Sequence, residues 1–369
     1  MKKESKVIKR NYGIDLLRII SMFMIVILHC LGRGGILSNS IVNSSQYKIT
    51  WMLEIICFCA VDIFALISGY VSYREEESKV KYSNYINIWF QVVFYGLLIT
   101  IIFDIFNISD ISISNYIISF FPVSTGAYWY FTAYSALFVL MPLINKAIRN
   151  IDNSLLKKIF IMIIIVFSIY DTIVNRFELN NGYSFIWILL LYVLGAIIKK
   201  CDILKEIKNY KAILAIIFFY LITYFYKIYG FEFNLYNVEI TKNLFVNYTS
   251  ITILGVSILF LVLLSRIKYS SFIKRIISFF AVSSFSIYLI NCNPLIWNDV
   301  INGMFVSITN NSRFKVILYV FIFSIVFCIF SVLIDKIRIF IFNKLKINEL
   351  SKKIEVLMSN LIERILKIL

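Results

Sequence analysis

The sequence predicts an all-α fold: a polytopic membrane helical bundle of about ten transmembrane helices, with both termini cytoplasmic. Three observations carry this. Of the 369 residues 60% are hydrophobic and only three are proline, and the mean hydropathy is +0.83. A soluble domain of this size has too little interior to hide so much apolar surface. The apolar residues recur in runs of 16 to 24, long enough as helices to cross about 30 Å of hydrocarbon. The alternating segments of a membrane β-barrel are absent. Finally, the basic residues of the connections divide 29 to 7 between alternate sides.

Ten runs read as spans: 13–31, 51–73, 84–107, 128–145, 158–174, 183–198, 210–228, 244–265, 276–297 and 314–335. One side collects the basic residues of the N-terminus, 74–83, 146–158, 199–211, 266–275 and the tail from 336. The other carries Arg33, Lys48, Arg176, Lys227, Lys242, Arg313 and Lys315. By the positive-inside rule the richer side is cytoplasmic. The net charge of +16 is then a topology signal and an attraction to anionic lipid, and no nucleic-acid partner is implied. The first span has no small-residue cleavage site and is not read as a signal peptide. The expected organisation is a membrane domain over 1–340 and a tail over 341–369.

The first span holds the most informative residues. His29 is the sole histidine. Arg18 precedes it by eleven residues, which is about 20° past three helical turns, so the two share a face roughly 16 Å apart along the axis. Asp15 lies three residues before Arg18 and can pair with it. Ionisable groups inside a membrane helix usually face a bundle interior or a wet cavity. A cation near the cytosolic mouth suits an anionic, nucleotide-bearing donor. An imidazole near the outer end suits general-base work on a hydroxyl. The structural alternatives are a snorkelling anchor for Arg18 and an interhelical hydrogen bond for His29.

The second span runs inward and carries Glu54, Asp62, Ser68, Gly69 and Tyr70. Glu54 is expected at the depth of His29, with Asp62 roughly 12 Å deeper. A carboxylate near the imidazole would fix its tautomer, and Asp62 is the preferred candidate. Ser68-Gly69 also permits close helix contact. The third span follows Lys79-Val80-Lys81-Tyr82. The fourth opens on Trp129-Tyr130, followed by Tyr134, Pro142 and Asn145; aromatics at such a start are commonly interfacial anchors. Spans five to eight rest on their apolar runs and flanking charges. The ninth carries Ser283, Ser284, Ser286, Tyr288, Asn291 and Asn293, a set that faces protein or water and suits either interhelical hydrogen bonds or substrate contact.

In the tail, Leu350, Ile354, Leu357, Leu361, Ile365 and Leu369 recur at helical spacing, with Lys352, Lys353, Glu355, Glu363 and Lys367 between them. This predicts an amphipathic helix, lying either on the cytoplasmic membrane surface or against the bundle. The outer loops 109–127 and 229–243 are rich in Asn, Ser, Tyr and Phe, which suit sugar contacts and membrane interfaces alike. The six cysteines have neither zinc nor redox spacing and read as packing residues; no metal site is expected. No internal repeat is evident, which counts against an inverted-repeat transporter.

Four of these blocks together resemble the integral-membrane acyltransferase family 3. Asp15, Arg18 and His29 match the family's first helix. Val61-Asp62-Ile63-Phe64-Ala65-Leu66-Ile67-Ser68-Gly69-Tyr70 matches its second, except at Ala65. Trp129-Tyr130 through Pro142-Leu143-Ile144-Asn145 looks like its fourth, and Ser284-Phe285-Ser286-Ile287-Tyr288-Leu289-Ile290 like its late block. The resemblance covers about residues 12 to 340. It implies transfer of an acyl group, usually acetyl from acetyl-CoA, to a hydroxyl on an extracytoplasmic glycan or similar acceptor. By position, His29 would be the catalytic base or a transient acyl carrier, Arg18 with Asp15 would contact the donor, and Asp62 would support the site. Glu54, Ser68, Tyr70, Trp129, Tyr130, Tyr288 and Asn291 are the expected substrate-lining residues. The chain departs from many relatives in having Asn291 where they end the late block in His, and it shows no fused esterase-like domain.

The function expected is O-acylation, with acetyl as the group, of a cell-surface polysaccharide or a lipid-linked glycan. Membrane lipid is the surrounding partner and a homo-oligomer is compatible. The Ile-, Lys-, Asn-, Phe- and Tyr-rich composition fits an AT-rich bacterial genome, and the expected location is the bacterial plasma membrane. The same residues also suit a transporter or exporter of an organic anion or glycan, with Arg18 as anion site and His29 as proton relay.

Overall fold

The computed structural model describes residues 10–76, 81–174, 176–203, 205–235 and 238–366. The N-terminal lysines, Lys79 and Val80 before the third span, and Lys367 and Leu369 of the tail lie outside the described residues. The helices in chain order are α1 (Tyr12–Leu31), α2 (Ile36–Asn39), α3 (Ser45–Cys57), α4 (Ala60–Ser72), α5 (Tyr82–Ile105), α6 (Ile113–Phe120), α7 (Trp129–Asn150) and α8 (Asn153–Ile164). A π-helical turn, Ile165–Tyr170, leads into α9 (Asp171–Val174). There follow α10 (Phe185–Cys201), α11 (Asn209–Tyr229), the antiparallel hairpin β1 (Phe233–Leu235) and β2 (Val238–Ile240), and α12 (Ile251–Ser265). Then come α13 (Ser271–Ala281), α14 (Ser284–Asn291), a second π turn (Ile296–Ile301), α15 (Arg313–Lys344) and α16 (Ile347–Leu366).

The fold is all-α and membrane-type, as the hydropathy requires. Ten is the number of apolar runs; among the described residues seven segments are long and apolar enough as helices to cross a membrane. These are Tyr12–Asn39, Ser45–Ser72, Tyr82–Ile105, Trp129–Asn150, Asn209–Tyr229, Ser271–Asn291 and Arg313–Lys344. The expected spans 158–174, 183–198 and 244–265 fall short. The first is broken by the π turn, α10 has 17 residues, and α12 has 15. The shortfall at α12 has a simple cause: residues 244–250 are apolar enough to join the run, but they form turns, and Ser250 caps the helix.

Helix α1 sits inside the bundle, against α3, α4, α12, α13, α14 and α15. The most apolar stretch of the Tyr12–Asn39 segment is 61% buried in the protein, against 22% for that of α15, which is left to face lipid. Asn11 starts α1 by accepting the N–H groups of Gly13 (3.0 Å) and Ile14 (3.3 Å), satisfying two donors that a helix start leaves open. Its amide also donates to the Ser265 carbonyl (2.8 Å). A Cβ on Gly13 would overlap the Leu264 carbonyl, so Asn11 and Gly13 together dock α1 onto the end of α12.

The second span is two helices rather than one. Between α3 and α4 the helical ladder breaks at Phe58-Cys59. The Ile56 carbonyl is met from another helix, by Tyr220 (2.9 Å), and Ser257 approaches the Cys59 carbonyl (3.3 Å), which also accepts the Ile63 N–H (3.0 Å). In a hydrocarbon slab such substitution is required. The serines of the late block act likewise, with Ser286 donating to the carbonyls of Ser283 (2.7 Å) and Ser331 (3.1 Å).

Helices α4 and α10 touch backbone to backbone. A Cβ on Gly69 would strike the Tyr192 carbonyl, and one on Gly195 the Leu66 carbonyl. Lipid offers little hydrophobic drive between helices, so such close contact is what holds them. Gly69→Leu or Gly195→Leu must push one backbone from the other, at a cost of about 1–3 kcal/mol or more. The expected result is a lowered unfolding midpoint and reduced yield in detergent; a wild-type midpoint would contradict the close approach.

Helix α15 is tied to α5 through Asp335, which is wholly buried. It accepts from Arg338 Nε (2.7 Å) and Nη2 (3.1 Å), from Tyr95 Oη (2.9 Å) and from Gln91 Nε2 (3.3 Å). The tail helix α16 packs on α5: Asn87 bonds Asn348 (2.6 Å) and Ser351 (2.9 Å), and Glu355 accepts the Tyr82 N–H (2.7 Å). Its other side leaves Leu357, Leu361 and Ile365 exposed.

Candidate active site

His29 lies in the last turn of α1. The chain then turns through Gly32-Arg33-Gly34-Gly35, and Gly35 has φ of +88°, a conformation open to glycine. This turn bonds to a distant segment. Gly303 N–H reaches the Arg33 carbonyl (3.0 Å) and Phe305 N–H the Gly34 carbonyl (2.9 Å). The pairing brings the second π turn against α1, and π turns are frequent at functional sites. Trp297 of that turn meets the His29 ring edge-on, centroids 4.6 Å apart at 83°. The Arg33 guanidinium lies 5.7 Å from the Trp297 ring, and its Nη2 bonds Asn298 (3.0 Å).

Asn291, at the end of α14, holds the imidazole through a bond between its Oδ1 and His29 Nδ1. With the amide oxygen as the acceptor in this pair, Nδ1 is the nitrogen that carries the proton. Nε2 is left with the lone pair, the form a general base needs. Asn291 Nδ2 is buried without a partner among the described residues.

His29 lines a cavity of about 510 Å³, with Glu54, Tyr128, Trp129, Tyr130, Tyr288 and Trp297 among its walls. The aromatic walls support one another: Tyr130 packs edge-on to Tyr288 (6.2 Å), to Trp129 (5.6 Å) and to Phe64 (5.6 Å). Tyr128 donates to the Leu289 carbonyl (3.1 Å) and accepts from Asn293 (3.1 Å), so α14 and the start of α7 are locked together. Glu54 is buried, and its Oε2 has no hydrogen-bond partner among the described residues. Such a cavity, mostly aromatic with a few polar groups, is the usual form of a small-ligand site. Among the described residues no three His, Cys, Asp or Glu side chains gather into a metal-binding group.

Arg18 stands just over three turns back along α1, towards its start. Asp15 accepts from both Arg18 (3.1 Å) and Arg10 (2.5 Å). One carboxylate thus faces two guanidiniums and neutralises only one of them. Arg18 keeps 27% of its side chain exposed, so this end of α1 offers a net positive charge to an anionic group.

A family model described as an acyltransferase domain matches residues 11–336, nearly the whole chain. The chain belongs to the integral-membrane acyltransferase family 3. No curated protein matches it, and no solved structure does. The acyltransferase is therefore a membrane enzyme, and the match runs from the Asn11 cap through Lys336.

Within the acyltransferase the sequence-predicted residues divide. His29, Glu54, Trp129, Tyr130 and Tyr288 meet at the cavity, and Asn291 stands behind His29 as its partner. Asp62 does not line the cavity. The expected carboxylate–imidazole pairing is replaced by a bond from Trp187 Nε1 to Asp62 Oδ1 (3.0 Å), and Asp62 is wholly buried. Glu54, Phe58 and Val61 follow one another at helical spacing along the cavity wall, and Asp62, one residue on, is turned about 100° from Val61. Ser68 donates back to the Phe64 carbonyl (3.1 Å) on its own helix, and Tyr70 lies under Lys199 (5.5 Å), neither of them lining the cavity. Asn145 accepts from Tyr192 (3.1 Å) and joins α7 to α10.

Trp187→Phe would leave both oxygens of Asp62 unpartnered and should cost about 1–3 kcal/mol. The check is the unfolding midpoint in detergent; no change would mean the bond carries no weight. Sequence reasoning missed Trp297, Tyr128, Tyr183 and Tyr248 in the cavity wall. One signal pointed to Trp297: Asn293-Pro294, inside the expected span 276–297, is a turn dipeptide, and the helix ends ahead of it at Asn291.

Proposed function

We propose that the acyltransferase moves an acetyl group from cytosolic acetyl-CoA to a hydroxyl of a cell-surface polysaccharide or lipid-linked glycan. The observation that carries this is His29 itself, with Nδ1 engaged by Asn291 and its ring lining an aromatic cavity. A hydroxyl placed at Nε2 gives up its proton as its oxygen attacks the thioester carbonyl. The new C–O bond forms, the C–S bond breaks, and the proton leaves on the coenzyme thiol. A positioned base of this kind supplies about 10²–10⁴-fold in rate. Glu54 is placed to accept hydrogen bonds from other acceptor hydroxyls. Arg18 and Asp15, at the opposite end of α1, suit the phosphates of the donor. Both termini and the donor lie on the cytosolic side in this reading, following the 29-to-7 division of basic residues.

The test is transfer in sealed vesicles loaded with acetyl-labelled acetyl-CoA, with deacylated surface glycan outside. The expected product is glycan carrying alkali-labile label. Label that crosses without forming an ester would indicate transport, and label that stays inside would reject this donor and acceptor pair. Label bound to the protein in the absence of glycan would mark His29 as a transient acyl carrier.

A further inference from the structure

A second cavity adjoins the first. It measures about 350 Å³ and shares Phe58 and Tyr183 with the His29 cavity as a common wall. Its character is different. Thr172, Asn181, Thr241, Asn243, Asn247 and Thr249 line it; its one charged wall residue is Asp171, and neither Lys nor Arg lines it. Hydroxyls and amides both donate and accept, which matches the hydroxyl and amide groups of a neutral sugar. Its volume is at the lower end for a small-ligand site and suits a single sugar unit.

The lining is built and held. Lys227 Nζ bonds Asn243 Oδ1 (2.5 Å) while lying 3.7 Å from the Trp51 ring, one turn from Glu54. Asn247 Oδ1 accepts from Thr249 (2.8 Å). Asp171 accepts the N–H groups of Arg176 (3.1 Å) and Phe177 (3.2 Å), fixing the chain after α9. The Asn181 carbonyl accepts from Tyr248 N–H (3.1 Å), and Tyr248 stacks on Phe58 at 4.7 Å. One group is left over. Thr172 is 7% exposed, and its Oγ1 has no hydrogen-bond partner among the described residues. A buried polar group without a partner is costly, and a sugar hydroxyl in this cavity would supply one.

We propose that this polar cavity is a second saccharide subsite, holding the neutral sugar unit next to the one acylated at His29. The acceptor is then an extended glycan rather than a single sugar. The proposal rests on the reading of the His29 cavity as a glycan O-acylation site.

The test uses the full chain in vesicles, with the source organism's deacylated surface glycan cut to one-unit and three-unit fragments. Wild type should show a KM for the three-unit fragment about tenfold below that for the one-unit fragment, as expected for a few added hydrogen bonds. The variant is Thr172→Val with Asn181→Gly. Asn181 has φ of +54°, which glycine adopts freely, and valine keeps the shape of threonine. In this variant the ratio of the two KM values should fall towards one; equal KM values in wild type, or a preserved ratio in the variant, would overturn the proposal. Direct binding of end-labelled three-unit fragment separates the two readings. If no ester forms with either fragment, the acylation reading fails. Fragment binding that survives His29→Ala and weakens about tenfold in the double variant would still uphold the subsite. Binding that is absent, or equal in wild type and the double variant, would reject it.

Discussion

Removing the imidazole has the largest expected effect. His29→Ala and His29→Gln should each lower kcat for acyl transfer by about 10²–10⁴-fold, the range a positioned general base supplies, with the unfolding midpoint near that of wild type. His29 is half-buried at a cavity wall rather than deep in the core, so its loss takes away little packing. Asn291 acts one step behind. Its Oδ1 sets which ring nitrogen carries the proton, and partners of this kind typically contribute about 10–100-fold. Asn291→Leu should therefore lower kcat by about that factor with little change in the acceptor KM, and Asn291→Asp, which still offers an oxygen to Nδ1, should recover much of the loss. Equal damage from Leu and Asp, or an effect on KM alone, would reduce Asn291 to a packing residue.

The second large effect is at the far end of α1. Arg18→Ala should raise the KM for acetyl-CoA by about 10–100-fold, the equivalent of one charged hydrogen bond worth about 1.5–3 kcal/mol. The acceptor KM should stay near wild type. Arg18→Lys should fall between, because lysine keeps the charge but loses the planar fork. Activity that tracks only the amount of protein in the membrane would make Arg18 a topology anchor.

Much of this was legible in the sequence, and the parts that were not share a cause. Apolar runs report what a segment is made of, not where its backbone bends. The run at 51–73 therefore read as one helix; Asp62 was preferred as the partner of His29 for its place in the Val61–Tyr70 block, although the same helix put it roughly 12 Å deeper. The break at Phe58-Cys59 depends on Tyr220 and Ser257, more than 160 residues away, and nothing local announces it. The run at 276–297 likewise joined α13, α14 and part of a π turn, and hid Trp297, whose place against His29 is set by backbone pairing between 303–305 and the turn after α1. By contrast, the site residues of α1 were readable: Asp15, Arg18 and His29 lie on one unbroken helix, where spacing alone fixes geometry. Glu54 was expected at the depth of His29 because both sit within two turns of the same end, and the cavity contains both. Asn291 was expected in the site as substrate lining; its role as the partner of His29 needed a fold that brings residues 262 apart into contact.

The most direct test of the central claim is ester-linked acetate on the surface polysaccharide of a host from which this gene has been deleted. The host is complemented with the wild-type chain or with His29→Ala at matched membrane levels. The account predicts acetate restored by wild type and absent with His29→Ala. Acetate restored equally by both would contradict transfer chemistry centred on His29, and acetate unaffected by the deletion would contradict the donor and acceptor assigned to the acyltransferase.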